Sequence, residues 1–240
     1  MTEHTVKAFA EELEQLSASI AEMGGLVERE LSDAISALTR RDAALAEATI
    51  STDARIDEME REIETRVVRL LALRQPMGVD LRDTISAMKI AGELERAGDL
   101  AKNLAKRSLV LAREQPNRLT KGLERIGRLA LSQLKAVLDA YVARDAKAAI
   151  EVWRRDEEID ELYNSLFREF LTYMMEDPRT ISVCTHLLFI AKNMERIGDH
   201  ATNIAENLHF IVTGSYISRE RPKGDTTSTT TVAFGGKAGA

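Results

Sequence analysis

Cysteine is nearly missing from this chain: Cys184 is the single one. No intramolecular disulfide can form, and a zinc site built on several thiolates is excluded. Proline occurs four times and aromatic residues make up 5% of a chain rich in Ala, Leu, Glu and Arg. So few helix breakers in that composition favour long helices. Basic charge is not in excess, since 33 Lys and Arg stand against 39 Asp and Glu, a formal net charge of −6. That balance weighs against nucleic-acid binding, which normally shows as a basic face. No uninterrupted apolar run reaches the roughly 18 residues that a bilayer span needs, so no direct membrane insertion is expected. Met1 to Glu14 lack the basic-then-apolar pattern of a secretory signal. The expected location is the cytoplasm. A Gly-rich phosphate loop, G-x-S-x-G and H-E-x-x-H are all absent from the sequence.

What is there is helical patterning. Hydrophobic residues are 44% and charged residues 30% of 240, enough for a sizeable core under a wetted surface. Leu45, Thr49, Thr52, Ile56, Met59, Ile63, Val67 and Leu70 recur at steps of three and four, the period of an amphipathic helix. No stretch alternates with period two, so an all-α fold is expected. Pro76 with Gly78, Pro116 and Pro178 separate the periodic runs. Asp42 and Asp145 follow subtler breaks and suit N-caps. Six helices are expected, at about 7–39, 42–74, 79–113, 118–143, 146–176 and 179–212.

The helices repeat. Arg41-Asp42-Ala43 matches Arg144-Asp145-Ala146, and Asp53, Ile56, Asp57 and Glu58 match Asp156, Ile159, Asp160 and Glu161, all at an offset of 103. Leu31, Ile35 and Leu38 pair with Leu134, Leu138 and Tyr141 at the same offset. Residues 95–103, ERAGDLAKN, match 195–203, ERIGDHATN, at six of nine positions and an offset of 100. The pattern predicts two tandem antiparallel three-helix bundles, residues 1–115 and 116–212, each running up-down-up. Residues 213–240, with Gly214, Pro222, a Thr/Ser run and a Gly-rich end, bury too little apolar surface to offset ordering entropy and are expected to be a disordered tail.

Acidic pairs spaced i, i+4 occur at the same places in both units: Asp53 with Asp57 and Glu95 with Asp99, then Asp156 with Asp160 and Glu195 with Asp199. Like charges stacked on one helix face repel. They become favourable when a cation or basic partner sits between them. Asp53 and Asp57 are expected about 100° round from the apolar stripe, Glu95 and Asp99 on the flank of Leu94, Ala97, Ala101 and Leu104. With the second and third helices of each unit antiparallel, the acidic flanks face each other along one seam. Clustered carboxylates without thiolate suit Mg, Mn, Fe, Zn or Ca ions, and more than one per cluster. Asn103 and Asn203 extend the same faces, where each could add a carbonyl ligand or a hydrogen bond to a ligating carboxylate. The plain alternative is an ordinary solvated face, paired with Arg96, Arg196 or Lys102.

Three smaller features read as structural. Gly98 and Gly198 lie inside these helices, where glycine costs about 1 kcal/mol against alanine, and close helix approach explains them. Glu206 and His209 have the E-x-x-H spacing of di-iron bundles, but a single copy reads as a helix end. Trp153, Tyr163, Phe167, Phe170 and Tyr173 fall at helical spacing and mostly suit a core.

The tandem units, with R-Q-P and D-L-R at 74–82 and then L-E-R-A-G-D and M-E-R-I-G-D, resemble the PhoU family of accessory regulators of bacterial phosphate uptake. The resemblance covers about residues 5–212. It implies two three-helix bundles side by side, with multinuclear iron or zinc clusters on the paired motifs. These are Asp53, Asp57, Glu95 and Asp99 in one unit and Asp156, Asp160, Glu195 and Asp199 in the other. It further implies a non-enzymatic cytoplasmic regulator, often a homodimer. Such a protein links the ATPase of the phosphate ABC transporter to the sensor histidine kinase of the phosphate regulon, and restrains both when phosphate is plentiful. The Thr/Ser tail is outside the family pattern. Two other readings remain: a carboxylate-bridged metalloenzyme, which needs open coordination in a shaped cavity, and a metal-free helical scaffold. Structural metal binding predicts that Asp99→Ala and Asp199→Ala lower both metal content and melting temperature. Neither quantity changing in either variant would sink that expectation.

Overall fold

The computed structural model describes residues 3–114, 119–217, 224, 225 and 227. Six α-helices account for nearly all of them: α1 (Glu3–Arg40), α2 (Ala43–Arg74), α3 (Val79–Arg113), α4 (Thr120–Ala143), α5 (Ala146–Glu176) and α6 (Ile181–Thr213). A 3-10 turn, Pro178–Thr180, leads into α6. Among the described residues there is no strand. The expected start of the fourth helix at 118 and the linker around Pro116 lie outside the described residues. So does most of the tail expected to be disordered, of which 213–217, Gly224, Asp225 and Thr227 are described.

Helices α1, α3, α6 and α4 form a four-helix ring, each touching the next. Helix α2 lies against α1 and α3, and α5 against α4 and α6. Within each unit the chain runs up-down-up: Arg74 near the end of α2 pairs with Glu12 near the start of α1 at 2.9 Å. The units meet antiparallel. Glu93 of α3 faces His200 of α6, while Arg107 further along α3 faces His186 near the start of α6. Gly24 of α1 likewise faces Leu138 of α4, and Gly127 of α4 faces Ile35. One hydrophobic core runs through both units, from Leu16, Ile20 and Val27 to Ile204 and Leu208. Leu31, Leu134 and their aligned partners are all buried, as the repeat requires. In α5, Trp153, Tyr163 and Phe170 are buried while Tyr173 is exposed.

The sharp α1–α2 and α4–α5 corners are the same device used twice. Arg41 and Arg144 sit at φ 56° and 53°, a left-handed conformation normally left to glycine at helix C-termini. The Asp42 amide donates to Ala37 O at 2.9 Å and the Asp145 amide to Ala140 O at 3.0 Å. Asp42 accepts from the Leu45 amide, and Asp145 from the Lys147 and Ala148 amides, so both expected N-caps are in place. Arginine in a left-handed position costs about 1–2 kcal/mol, and each arginine offsets that by reaching a neighbouring helix. Arg144 pairs with Asp83 at 2.8 Å and donates to Ser17 Oγ at 3.1 Å. Arg41 donates to the carbonyls of Ala112 and Glu114 at the end of α3. Arg144→Ala keeps the strain and loses the contacts, a cost of roughly 1–3 kcal/mol. Arg144→Gly relieves the strain and must fall between alanine and the native chain in urea denaturation. The opposite order of the two variants would contradict this account of the corner.

Candidate cation site

The seam between α2 and α3 is built on a stripe that differs from the expected one. The buried positions of α2 are Ala46, Thr49, Asp53, Ile56, Met59, Ile63, Val67 and Leu70. Thr52 points to solvent and bonds the Thr49 carbonyl, so the stripe passes through Asp53, which is 5% exposed. Asp53 therefore lies on the buried face of the helix, not 100° round from it. Its repeat partner Asp156 is 2% exposed, Asp160 3% and Glu195 4%. These groups are not surface flanks as expected. Asp57, Glu95, Asp99 and Asp199 are half-buried.

In the first unit the Lys102 ammonium joins the two helices, donating to Asp53 Oδ2 at 2.5 Å and to Asp99 Oδ1 at 2.7 Å. Burial works against the ammonium, but these two hydrogen bonds outweigh it and hold the Lys102 pKa far above the usual range. Burial also raises Glu95, with Asp99, Glu60 and Asp57 pushing in the same direction. Asp57, Glu60, Glu95 and Asp99 are thus close enough to repel one another.

Sequence reasoning missed the deepest group here. Glu30 of α1 is 2% exposed, and neither of its carboxylate oxygens finds a hydrogen-bond partner among the described residues. Burial first, then the charge of Asp53, pushes its pKa up to about 8. Its oxygen lies 3.3 Å from where a Cβ on Gly98 would stand. Gly98 thus leaves room for Glu30 and for Ile56, the close approach expected of it. The repeat held one signal: Glu30 lies 103 residues before Gln133.

The second unit has the same frame with different chemistry. Gln133 is buried and donates to Thr202 Oγ1 at 3.2 Å and to the Val152 carbonyl at 3.3 Å. Thr202 stands where Lys102 stands in the first unit, and donates to Asp156 Oδ1 at 3.2 Å. The ammonium comes from elsewhere: Lys192, aligned with Gly92, donates to Glu195 Oε1 at 2.8 Å. Glu195 Oε2 is buried without a described partner. Burial pushes Glu195 up to about 7 against the pull of Lys192, with Asp199 and Asp160 adding to the rise.

Other expected groups lie apart. Asn103 is exposed. Asn203 donates to Glu93 Oε2 at 2.9 Å, bridging α3 and α6 instead of backing the cluster. His200 bonds the same oxygen at 2.8 Å. Burial raises Glu93, but these two bonds overcome it and hold the carboxyl below the usual range. Glu206 accepts from the Trp153 indole at 2.9 Å, and His209 meets the Ser215 carbonyl past the helix end.

The donor set is hard oxygen, and the unpartnered oxygens of Glu30 and Glu195 Oε2 belong to it, which suits an oxygen-seeking cation. Among the described residues no three His, Cys, Asp or Glu side chains already stand in ion-holding geometry. Each seam is instead arranged around a lysine. An ion entering the first seam needs Lys102 to swing away.

Relatives and solved structures match the chain over nearly its whole length. Residues 20–108 and 123–208 each match the PhoU domain. The phosphate-specific transport system accessory protein PhoU homolog of Caulobacter vibrioides is 56% identical over 95% of this chain and 100% of its own. That of Rhizobium meliloti is 53% identical over 94% and 96%. The crystal structure of PhoU from Pseudomonas aeruginosa superposes with a TM-score of 0.84 at 40% identity, covering 86% of this chain and 100% of that one. The phosphate transport system regulatory protein PhoU from Streptococcus pneumoniae gives 0.81 at 36% identity, over 88% and 100%.

Glu30 sets a pH dependence whose sign follows from its raised pKa. The native state holds the proton from about 4.5 up to about 8 while the unfolded chain releases it. Stability from this group is therefore complete below about 4.5 and is lost as pH rises through about 8. Glu30→Gln, which copies Gln133, removes the loss. The metal-free variant should gain roughly 2–3 kcal/mol on the native chain between pH 6 and pH 9. A stability difference that stays flat across that range in urea titrations would contradict the assignment.

Proposed function

This chain belongs to the PhoU family, and on that premise we propose that it is a cytoplasmic regulator of phosphate homeostasis that acts by binding. Its partners in this reading are the ATPase subunit of the phosphate ABC transporter and the phosphate-sensing histidine kinase. It works as a homodimer and restrains uptake and starvation signalling when phosphate is plentiful. The observation that carries the reading is the 56% identity, over 95% of this chain, to a protein named as an accessory of phosphate-specific transport. Among the described residues no helix is long and apolar enough to cross a membrane, which agrees with a regulator that docks on membrane complexes.

Metal binding is the second half of the proposal. Asp53, Asp57, Glu95 and Asp99 would hold ions in one seam, with Glu30 behind them, and Asp156, Asp160, Glu195 and Asp199 in the other. A bound divalent ion, Fe, Zn, Mn or Mg, would add positive charge between α2 and α3 and between α5 and α6. The chain's own part is to trade one cation for another. Lys102 pins Asp53 to Asp99 in the ion-free state, and its release frees both carboxylates. The output is a shift between seam conformations with different affinity for partners. One observation favours the alternative of a metal-free scaffold: Lys102 and Lys192 already compensate part of the seam charge.

The test is alkaline phosphatase activity in phosphate-replete cells with and without the gene. High activity in the deletion, reversed by the intact gene, is the expected result. Asp99→Ala with Asp199→Ala should fail to restore repression if the seams must bind metal. Phosphatase that stays low without the gene contradicts the regulatory reading.

A further inference from the structure

The three described residues beyond 217 lie on the second seam. The Gly224 amide donates to Asp160 Oδ2 at 2.7 Å, and the Asn164 amide group donates to the Gly224 carbonyl at 2.5 Å. Lys192 donates to Asp225 Oδ2 at 2.7 Å while holding Glu195 at 2.8 Å. Thr227 donates to Asp225 Oδ1 from both its amide, at 2.9 Å, and its hydroxyl, at 2.7 Å. The Tyr163 hydroxyl hydrogen-bonds with Thr227, and Lys192 lies 4.9 Å over the Tyr163 ring. A Cβ on Gly224 would come within 3.0 Å of the Asp160 Cβ, so the backbone approaches the carboxylate as closely as glycine permits.

The residues that hold this segment belong to the second unit alone. Tyr163, Asn164 and Lys192 align with Glu60, Arg61 and Gly92 of the first. Glu60 puts a carboxyl where the phenol stands, Arg61 is exposed and Gly92 has no side chain. Asp160 keeps its counterpart, Asp57. The carboxylate frame is thus shared, and the seat for the segment has been added to one copy of it.

We infer that Gly224, Asp225 and Thr227 are an intramolecular ligand of the second carboxylate cluster, so that segment and metal ion exclude each other there. This rests on the metal reading above. The Gly224 amide and the Lys192 ammonium supply the positive ends that an ion would otherwise supply to Asp160 and Glu195. Asp225 makes the docking selective for a seam in which Lys192 is still present. The first seam lacks this seat and holds Lys102 between Asp53 and Asp99 instead. Loading of the second cluster therefore releases Gly224, Asp225 and Thr227 from the protein surface.

The experiment uses the full-length chain and Gly224→Val, with Asp53→Asn and Asp99→Asn in both to silence the first cluster. Manganese binding is measured by elemental analysis and titration. Docking is read as hydrogen–deuterium exchange in the peptide spanning 224–227. Protection is expected without metal and lost at saturating manganese. Gly224→Val should be unprotected and bind about tenfold more tightly. The inference is overturned by no protection in the metal-free chain, by protection unchanged with manganese bound, or by equal affinity in the two forms. Manganese binding to neither form contradicts the metal reading, and competition with it. Bound manganese beside a still-protected segment contradicts competition alone.

Discussion

A carboxylate taken out of water must be met by a proton, an ammonium group, hydrogen-bond donors or a metal ion. This fold takes Glu30, Asp53, Asp156, Asp160 and Glu195 out of water together. Each helix seam solves the problem by mixed means. Asp53 meets Lys102, and Glu30 is held toward its protonated form. Asp156 receives a hydroxyl, Asp160 a backbone amide and Glu195 an ammonium. A core with apolar residues at these positions would be at least as stable. Stability alone therefore does not account for the charged seams, which fits the proposal that they bind a cation.

The two units share a frame and differ in what fills it. The corners at Arg41 and Arg144, the caps at Asp42 and Asp145, and the glycines at 98 and 198 are the same parts in the same places. Against this constancy, Glu30 becomes Gln133, Lys102 becomes Thr202, and the ammonium moves to Lys192. The first seam keeps carboxyl groups at Glu30 and Glu60 where the second has Gln133 and Tyr163, and the second carries more hydrogen-bond donors. The two seams are therefore chemically different sites built on one frame.

Much of this was legible in the sequence, because periodicity and repeat report directly on packing. The helices, their caps and the up-down-up units follow from apolar spacing and from the offsets of 103 and 100. The carboxylate pairs were found by their duplication. Their burial was not. Thr52 and Asp53 are adjacent, and a stripe drawn through hydrophobicity takes the threonine, whereas packing against α3 takes the aspartate together with Lys102. Glu30 went unseen for the same reason: a lone glutamate in α1 looks solvated until α2 and α3 close over it. The place of Asn203 in the motif puts it with the cluster. The antiparallel meeting of α3 with α6, a tertiary relation that local spacing does not carry, turns it to Glu93.

The central claim is that a metal ion can take the place of Lys102 between Asp53 and Asp99. Anomalous diffraction from crystals of the intact chain soaked in manganese tests it most directly. The account predicts an anomalous peak in the α2–α3 seam with the lysine ammonium swung out of it. A seam with no peak, in which Lys102 still bridges Asp53 and Asp99, would contradict it.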